Sequence, residues 1–358
     1  MTYEELLQGE PYGVSQKVKE EAMTAELVRL TEKHRERCPS YRSMVDMLGY
    51  DGATSLEDIS FIPVGLFKEL ELKSITEEEI FKTMTSSGTT GQRVSKIFLD
   101  RGTAAAQQKA LVRIVSDFTG LARLPMLIID CPSVVKNRAM FSARGAGILG
   151  FSIFGRKRVY ALDDDMRLRF DAVQEFLTEH RGERVLLFGF TFMVWQHFYR
   201  ALKESGECLP LENAVLIHGG GWKKLAQEAV SPEKFRSSLQ EVCGIRRVHD
   251  YYGMVEQTGC IYMECEEGHL HASNYSDIIV RRGKDFSPCD IGENGILQVL
   301  SPLPASYPGH SLLTEDEGVL LGVDDCPCGR KGKYFRVLGR LKDAEIRGCS
   351  DTYGSVAG

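Results

Sequence analysis

Three uninterrupted apolar runs constrain the fold most: residues 125–130 (PMLIID), 185–189 (VLLFG) and 214–218 (AVLIH), each followed by sequence of helical spacing. A strand with one wet face alternates apolar and polar residues. These runs do not, so both of their faces must be covered, and helices between successive parallel strands cover them. The expected class is α/β. Ligands of such sheets gather beyond the carboxyl ends of the strands. His218-Gly219-Gly220-Gly221-Trp222 and Tyr251-Tyr252-Gly253-Met254-Val255-Glu256 fall there.

Other segments are arranged around this centre. Residues from about 14 to 36 have helical spacing, and Cys38-Pro39-Ser40-Tyr41 is expected to stop that helix. A helical layer over about 1–75, an α/β core over about 76–274 and a small β subdomain over about 275–338 are expected. The subdomain follows from short strands at 277–280 and 295–300 with Pro and Gly between them, and a helix is expected at 103–118. The proline-containing apolar segment 61–68 is assigned to packing.

The chain of 358 residues is 43% apolar and 26% charged, the balance of a soluble globular protein. Its net charge of -6, from 44 Lys+Arg against 50 Asp+Glu, gives no general polyanion-binding surface, so nucleic acid is not expected as a partner. Met1-Thr2-Tyr3-Glu4-Glu5 is acidic where a signal peptide is basic, and no apolar run approaches the roughly 18 residues of a membrane span. A cytoplasmic location is expected, and with it reduced thiols rather than a disulfide framework for the ten cysteines.

Between two short β-type runs, 80–85 and 96–99, lies Ser86-Ser87-Gly88-Thr89-Thr90-Gly91-Gln92-Arg93-Val94-Ser95-Lys96. Two glycines let the backbone turn tightly and bring N–H groups close to an anion. The hydroxyls of Ser86, Ser87, Thr89 and Thr90 add neutral donors, and Lys96 adds a cation. A triphosphate is the natural guest. It is not the helix-opening G-x-x-x-x-G-K-[ST] loop, because the lysine lies five residues past the second glycine. The same residue types also make ordinary polar turns.

Taken in order, these segments resemble the adenylate-forming superfamily of acyl-CoA ligases, firefly-type luciferases and peptide-synthetase adenylation domains. The phosphate loop corresponds to Ser86 to Lys96, the adenine-side glycine turn to Gly219-Gly220-Gly221, and the aromatic-G-x-x-E motif to Tyr252, Gly253 and Glu256. Thr314-Glu315-Asp316 resembles the ribose-binding segment, and Gly339-Arg340-Leu341-Lys342-Asp343 the hinge. The resemblance implies ATP as co-substrate, Mg²⁺ near Glu256, ribose hydroxyls on Asp316, and Arg340 over the ribose or phosphates.

An adenylation core over 1–338 and a shortened tail over 339–358 are expected, because only 16 residues follow Lys342 and none is lysine. The tail carries Cys349 beside Gly348 and Arg347. This organisation, together with Pro63-Val64 and Leu66-Phe67-Lys68, resembles the long-chain acyl-protein synthetase (LuxE) family. Membership would imply a fatty acid substrate, Cys349 as acyl acceptor, and an acyl-protein reductase or other acceptor protein as partner. A thiolate there is a good nucleophile and a thioester is easily transferred onward. A lone terminal cysteine can equally be incidental, and a phenylacetate-type CoA ligase with a shortened tail is the alternative reading.

Cys326-Pro327-Cys328 and Cys265-Glu266-Glu267-Gly268-His269-Leu270-His271 supply thiols and imidazoles enough for a structural zinc site of Cys265, His271, Cys326 and Cys328. His271 is preferred over His269, which lies in the turn, and Cys260 is a substitute ligand. Reduced core cysteines beside a solvated turn would give the same pattern. Residues 187–195 (LFGFTFMVW) are apolar enough for an alkyl tunnel, but a core strand-to-helix join is the preferred reading.

Overall fold

The structure, a computed structural model, describes residues 2–86, 93–136 and 143–341. Its described residues form two units: 2–86, 93–117 and 253–341 in the first, and 118–136 with 143–252 in the second.

The first unit opens with a short helix, Tyr3–Gln8, followed by the long helix Gln16–Arg37. The long helix ends where expected, but Pro39 then starts a new helix, Pro39–Met47, at whose first turn its missing N–H costs nothing. Strand β1 (Ile62–Pro63) and the antiparallel hairpin of β2 (Lys82–Thr85) and β3 (Lys96–Leu99) follow. The helix Arg101–Thr119 comes directly after, its start tied by Asp100 Oδ1, which accepts from the Thr103 N–H at 2.6 Å.

In the second unit the three uninterrupted apolar runs are parallel strands, β4 (Leu124–Ile128), β6 (Leu186–Phe190) and β7 (Val215–Gly219), and two strands of mixed composition, β5 (Gly155–Tyr160) and β8 (Arg247–Tyr252), join them. Their spatial order is β8-β7-β6-β4-β5. Every residue of β6 and β7 is buried, as coverage of both faces requires. The helix Pro232–Cys243 shows how sequence sets these connections. Ser231 accepts from the Lys234 N–H, proline opens the first turn, Gly244 closes the last at φ +75°, and Phe235, Leu239 and Cys243 bury one stripe. After β6 the chain turns through Thr191–Met193 into a π-helical stretch, Val194–Tyr199. Trp195 stacks there on Tyr199 at 4.3 Å, and most of 187–195 is core.

The remaining strands return to the first unit: β9 (Tyr262–Glu264), β10 (Leu270–His271), β11 (Asp277–Arg281), β12 (Asn294–Leu300), β13 (Ser311–Val323) and β14 (Lys333–Arg340). They run antiparallel in the order β11-β12-β13-β14-β10-β9, and β1 joins β13 in parallel. A buried polar knot fastens the helix Gln16–Arg37 to this sheet. Asp277 receives Lys19 at 2.9 Å, Lys333 at 3.0 Å and Gln16 Nε2 at 2.7 Å. Burial works against its charge, but the two ammonium groups hold the Asp277 carboxyl down at about 2. The Gln16 N–H donates to Asp324 Oδ2 at 2.9 Å. Among the described residues no helix is long and apolar enough to cross a membrane.

Candidate functional site

The β2–β3 hairpin carries the loop expected to hold phosphates. Ser87, Gly88, Thr89, Thr90 and Gly91 lie outside the described residues, but both flanks are described. Ser86 latches the base: its N–H donates to the Ser95 carbonyl at 3.0 Å and its Oγ accepts from the Ser95 N–H at 2.9 Å. That hydroxyl retains its proton to donate. Lys96 projects from the first position of β3 and pairs with Glu71 at 2.9 Å, both side chains being about half exposed. Arg93 pairs likewise with Glu69. The cations beside the loop are therefore matched by carboxylates, a feature for which the sequence held no signal because Glu69 and Glu71 belong to no motif.

Glu256 sits in a tight 3₁₀ turn, Val255–Gln257, and is fully buried. Neither carboxylate oxygen has a hydrogen-bond partner among the described residues. An ionised carboxylate in such a place costs several kcal/mol unless something neutralises it. The hard oxygen pair fits a divalent cation such as Mg²⁺. Gly253, three residues before it, is closely approached: a Cβ there would lie 3.0 Å from Ile261 Cγ2.

Asp316 on β13 and Arg340 on β14 are directly opposed in the antiparallel register. Arg340 Nε lies 3.8 Å from Asp316 Oδ1, and its Nη2 lies 3.7 Å from Glu315 Oε2. The ladder thus brings the two residues expected on the nucleotide side together, and adds Glu315 to them.

In the second unit β7 runs one residue beyond its apolar run, so His218 and Gly219 end β7, and Tyr251 and Tyr252 end β8. A Cβ on Gly219 would lie 2.7 Å from the Tyr251 ring, and one on Gly220, at φ +86°, 2.5 Å from the Phe190 ring. Only glycine fits there. Gly221 continues the turn at φ +66°. His218 is buried, with Nδ1 3.0 Å from Thr191 Oγ1 and 3.6 Å from Asp250 Oδ1, and burial takes its imidazole down to about 3. Arg144 is committed to Asp130, Nε to Oδ2 at 3.1 Å.

Cys265, His271, Cys326 and Cys328 converge in the first unit, their ligand atoms all within 4.8 Å of one another. Cys265 and Cys326 sulfurs are 3.9 Å apart, and Cys328 Sγ is 3.4 Å from His271 Nε2. A tetrahedral zinc with Zn–S bonds of about 2.3 Å spaces its sulfurs by roughly 3.8 Å. The donor set therefore fits zinc. Two turns supply it: the β9–β10 connection gives Cys265, with His271 on β10, and the β13–β14 connection gives Cys326 and Cys328. Burial pushes the Cys326 thiol up to about 12 and the Cys265 thiol upward, and brings the His271 imidazole down to about 4. A bound cation would reverse that preference for the thiols. His269 also approaches, Nδ1 lying 3.4 Å from Cys326 Sγ, and stacks on Tyr334 at 4.9 Å. Cys260 is engaged elsewhere, 2.8 Å from Ser301 Oγ.

The fold is that of the adenylate-forming ligases. A solved 2-hydroxyisobutyryl-CoA ligase in complex with 2-HIB-AMP and CoA superposes with a TM-score of 0.69, covering 93% of this chain and 70% of that chain at 17% identity. The same ligase in an open conformation superposes with a TM-score of 0.66, over 90% and 70% at 18% identity. The family model for the acyl-protein synthetase LuxE matches residues 2–356, and the chain belongs to that family. Long-chain-fatty-acid–luciferin-component ligase of Vibrio harveyi is 20% identical over 341 residues, covering 92% of this chain and 86% of the relative. The Aliivibrio fischeri protein of the same name is 21% identical over 332 residues, covering 90% and 85%.

Proposed function

We propose that the chain condenses a long-chain fatty acid, the substrate class in its relatives' names, with ATP, and then carries the acyl group on its own cysteine. The carboxylate oxygen attacks the α-phosphorus, the bond to the β-phosphate bridging oxygen breaks, and pyrophosphate leaves. The Cys349 thiolate, having lost its proton to solvent, then attacks the acyl carbonyl carbon and expels AMP, leaving a thioester for an acyl-protein reductase or other acceptor. Cys349 lies outside the described residues, so its part rests on family membership and on thiol chemistry.

The observation that carries the first step is Glu256, a fully buried carboxylate with both oxygens lacking a partner among the described residues. Such a group is held ready for a cation. Mg²⁺ bound there would neutralise charge that builds as two anions meet. Lys96 and the hairpin backbone would hold the departing phosphates, Gly219, Gly220, Gly221 and Tyr252 the adenine side, and Asp316 and Arg340 the ribose. Zinc on Cys265, His271, Cys326 and Cys328 would be closed and structural. The reading places the reaction in the cytoplasm, where ATP and reduced thiols coexist.

Incubation with Mg-ATP and labelled fatty acid, without CoA, tests it by pyrophosphate release and intact mass. Hydroxylamine-sensitive label on the wild type that vanishes in Cys349→Ser, with adenylation retained, is the expected result. Adenylation without protein label, and with consumption of added CoA, would show a short CoA ligase instead.

A further inference from the structure

The Glu256 carboxylate has no partner among the described residues, yet its main chain is fixed from several sides. Tyr307 Oη donates to the Glu256 carbonyl at 2.9 Å and accepts from Gln107 Nε2 at 3.2 Å. Next in sequence, Gln257 Nε2 donates to the carbonyls of Gly309 at 2.9 Å and Val299 at 3.1 Å. Gln107, Glu256, Gln257 and Tyr307 are all buried. Two glycines permit the approach: a Cβ on Gly309 would lie 2.8 Å from the Glu256 carbonyl oxygen, and one on Gly259 2.4 Å from the Gln107 carbonyl oxygen. The Tyr307 ring packs edge-on against Phe67, with centroids 6.0 Å apart.

Direction matters in this chain of bonds. The amide donates to the phenol, so the phenol's single proton is committed to the Glu256 carbonyl. Gln107 stands on the helix Arg101–Thr119, which begins directly after β3 of the phosphate hairpin. A buried carboxylate that is to hold a cation needs a rigid main chain to stay in position.

We propose that Gln107 and Tyr307 form a buried relay that positions Glu256 for its divalent cation, coupling the helix behind the phosphate hairpin to the cation carboxylate. Both are positioning residues for adenylation, and the assignment rests on the reading of Glu256 given above.

Tyr307→Phe removes the hydroxyl and keeps the ring on Phe67. ATP–pyrophosphate exchange is measured against free Mg²⁺, and Mn²⁺ binding in the presence of a non-hydrolysable ATP analogue is read by electron paramagnetic resonance. Half-saturating Mg²⁺ and the Mn²⁺ dissociation constant should both rise roughly three- to tenfold, as loss of one buried hydrogen bond implies, with the fatty acid KM within about twofold of wild type. Gln107→Glu should reproduce this by turning the Tyr307 proton toward itself, and it decides the matter if Tyr307→Phe does not fold. Wild-type metal curves in a folded variant overturn the relay. If Glu256→Gln abolishes exchange while both relay variants match wild type, the relay alone fails. If Glu256→Gln leaves metal dependence unchanged, the cation reading fails and takes the relay with it.

Discussion

Glu256 trades stability for readiness. Its two oxygens are buried without partners among the described residues, so a neutral side chain of the same shape should relieve the metal-free protein. Glu256→Gln is expected to keep or raise the melting temperature measured in chelator while lowering pyrophosphate exchange by about 100-fold or more. A fall in both would mean that the carboxylate has a structural partner instead. Lys96 makes the converse case. Its ion pair with Glu71 is exposed and screened by solvent, so a triphosphate would displace it easily. Glu71→Gln is expected to lower the ATP KM by about two- to threefold, an advantage that shrinks as salt is raised. An unchanged KM across salt concentrations would show that the pair has no bearing on nucleotide binding. The sequence displayed Glu256 and Lys96 because each stands in a spaced pattern. Glu71, Gln107 and Tyr307 stand in none, since what brings them into place is tertiary packing.

Elements differ in how openly the sequence announces them. Of the parallel strands, β4, β6 and β7 could be read from their uninterrupted apolar runs, but β5 and β8, of charged and mixed composition, could not, and Pro39 read as a stop also serves as a start, because position one of a helix needs no N–H. The π-helical stretch Val194–Tyr199 has no composition of its own and was legible only as apolar sequence. The thiol–imidazole cluster was readable as ligand types, but which imidazole stands among the sulfurs depends on how β10 lies against β14. Zinc there would staple the β9–β10 and β13–β14 connections. Elemental analysis of the purified protein should find about one zinc per chain, and Cys326→Ser or Cys328→Ser should lose it. Either variant should melt several degrees lower, and chelator should lower the wild type to match without affecting the variants. Full melting temperature in a zinc-free wild type would count against a structural metal.

At the scale of the molecule, two buried imidazoles make the first unit sensitive to acid. His34 and His310 are buried and stacked with ring centroids 5.0 Å apart, and His310 Nε2 lies 2.9 Å from Thr31 Oγ1. Burial, and then His310, hold His34 well below the ordinary value, and burial brings His310 down to about 3. Imidazoles of the unfolded chain titrate near about 6.5, so below that pH the unfolded state binds more protons than the folded one. The contribution of the neutral pair is complete above about 6.5 and is lost as pH falls toward the folded values. The urea midpoint should therefore be lower at pH 5 than at pH 7, and His310→Gln should show a shallower dependence. Equal slopes for variant and wild type would assign the acid sensitivity elsewhere. The layout of this unit was the least legible part of the sequence, because its pieces are separated along the chain by the whole parallel sheet.

That separation also orders events during synthesis. The Gln16 N–H finds its acceptor on Asp324, 308 residues later, and Lys19 waits for Asp277. At about 5–20 residues per second, a ribosome takes on the order of 15–60 s to deliver Asp324 after Gln16. The parallel sheet between 118 and 252 can close in that interval. The N-terminal helix cannot, and it emerges with Lys19 and Gln16 exposed to water, a nascent arm whose docking must follow nearly all of translation.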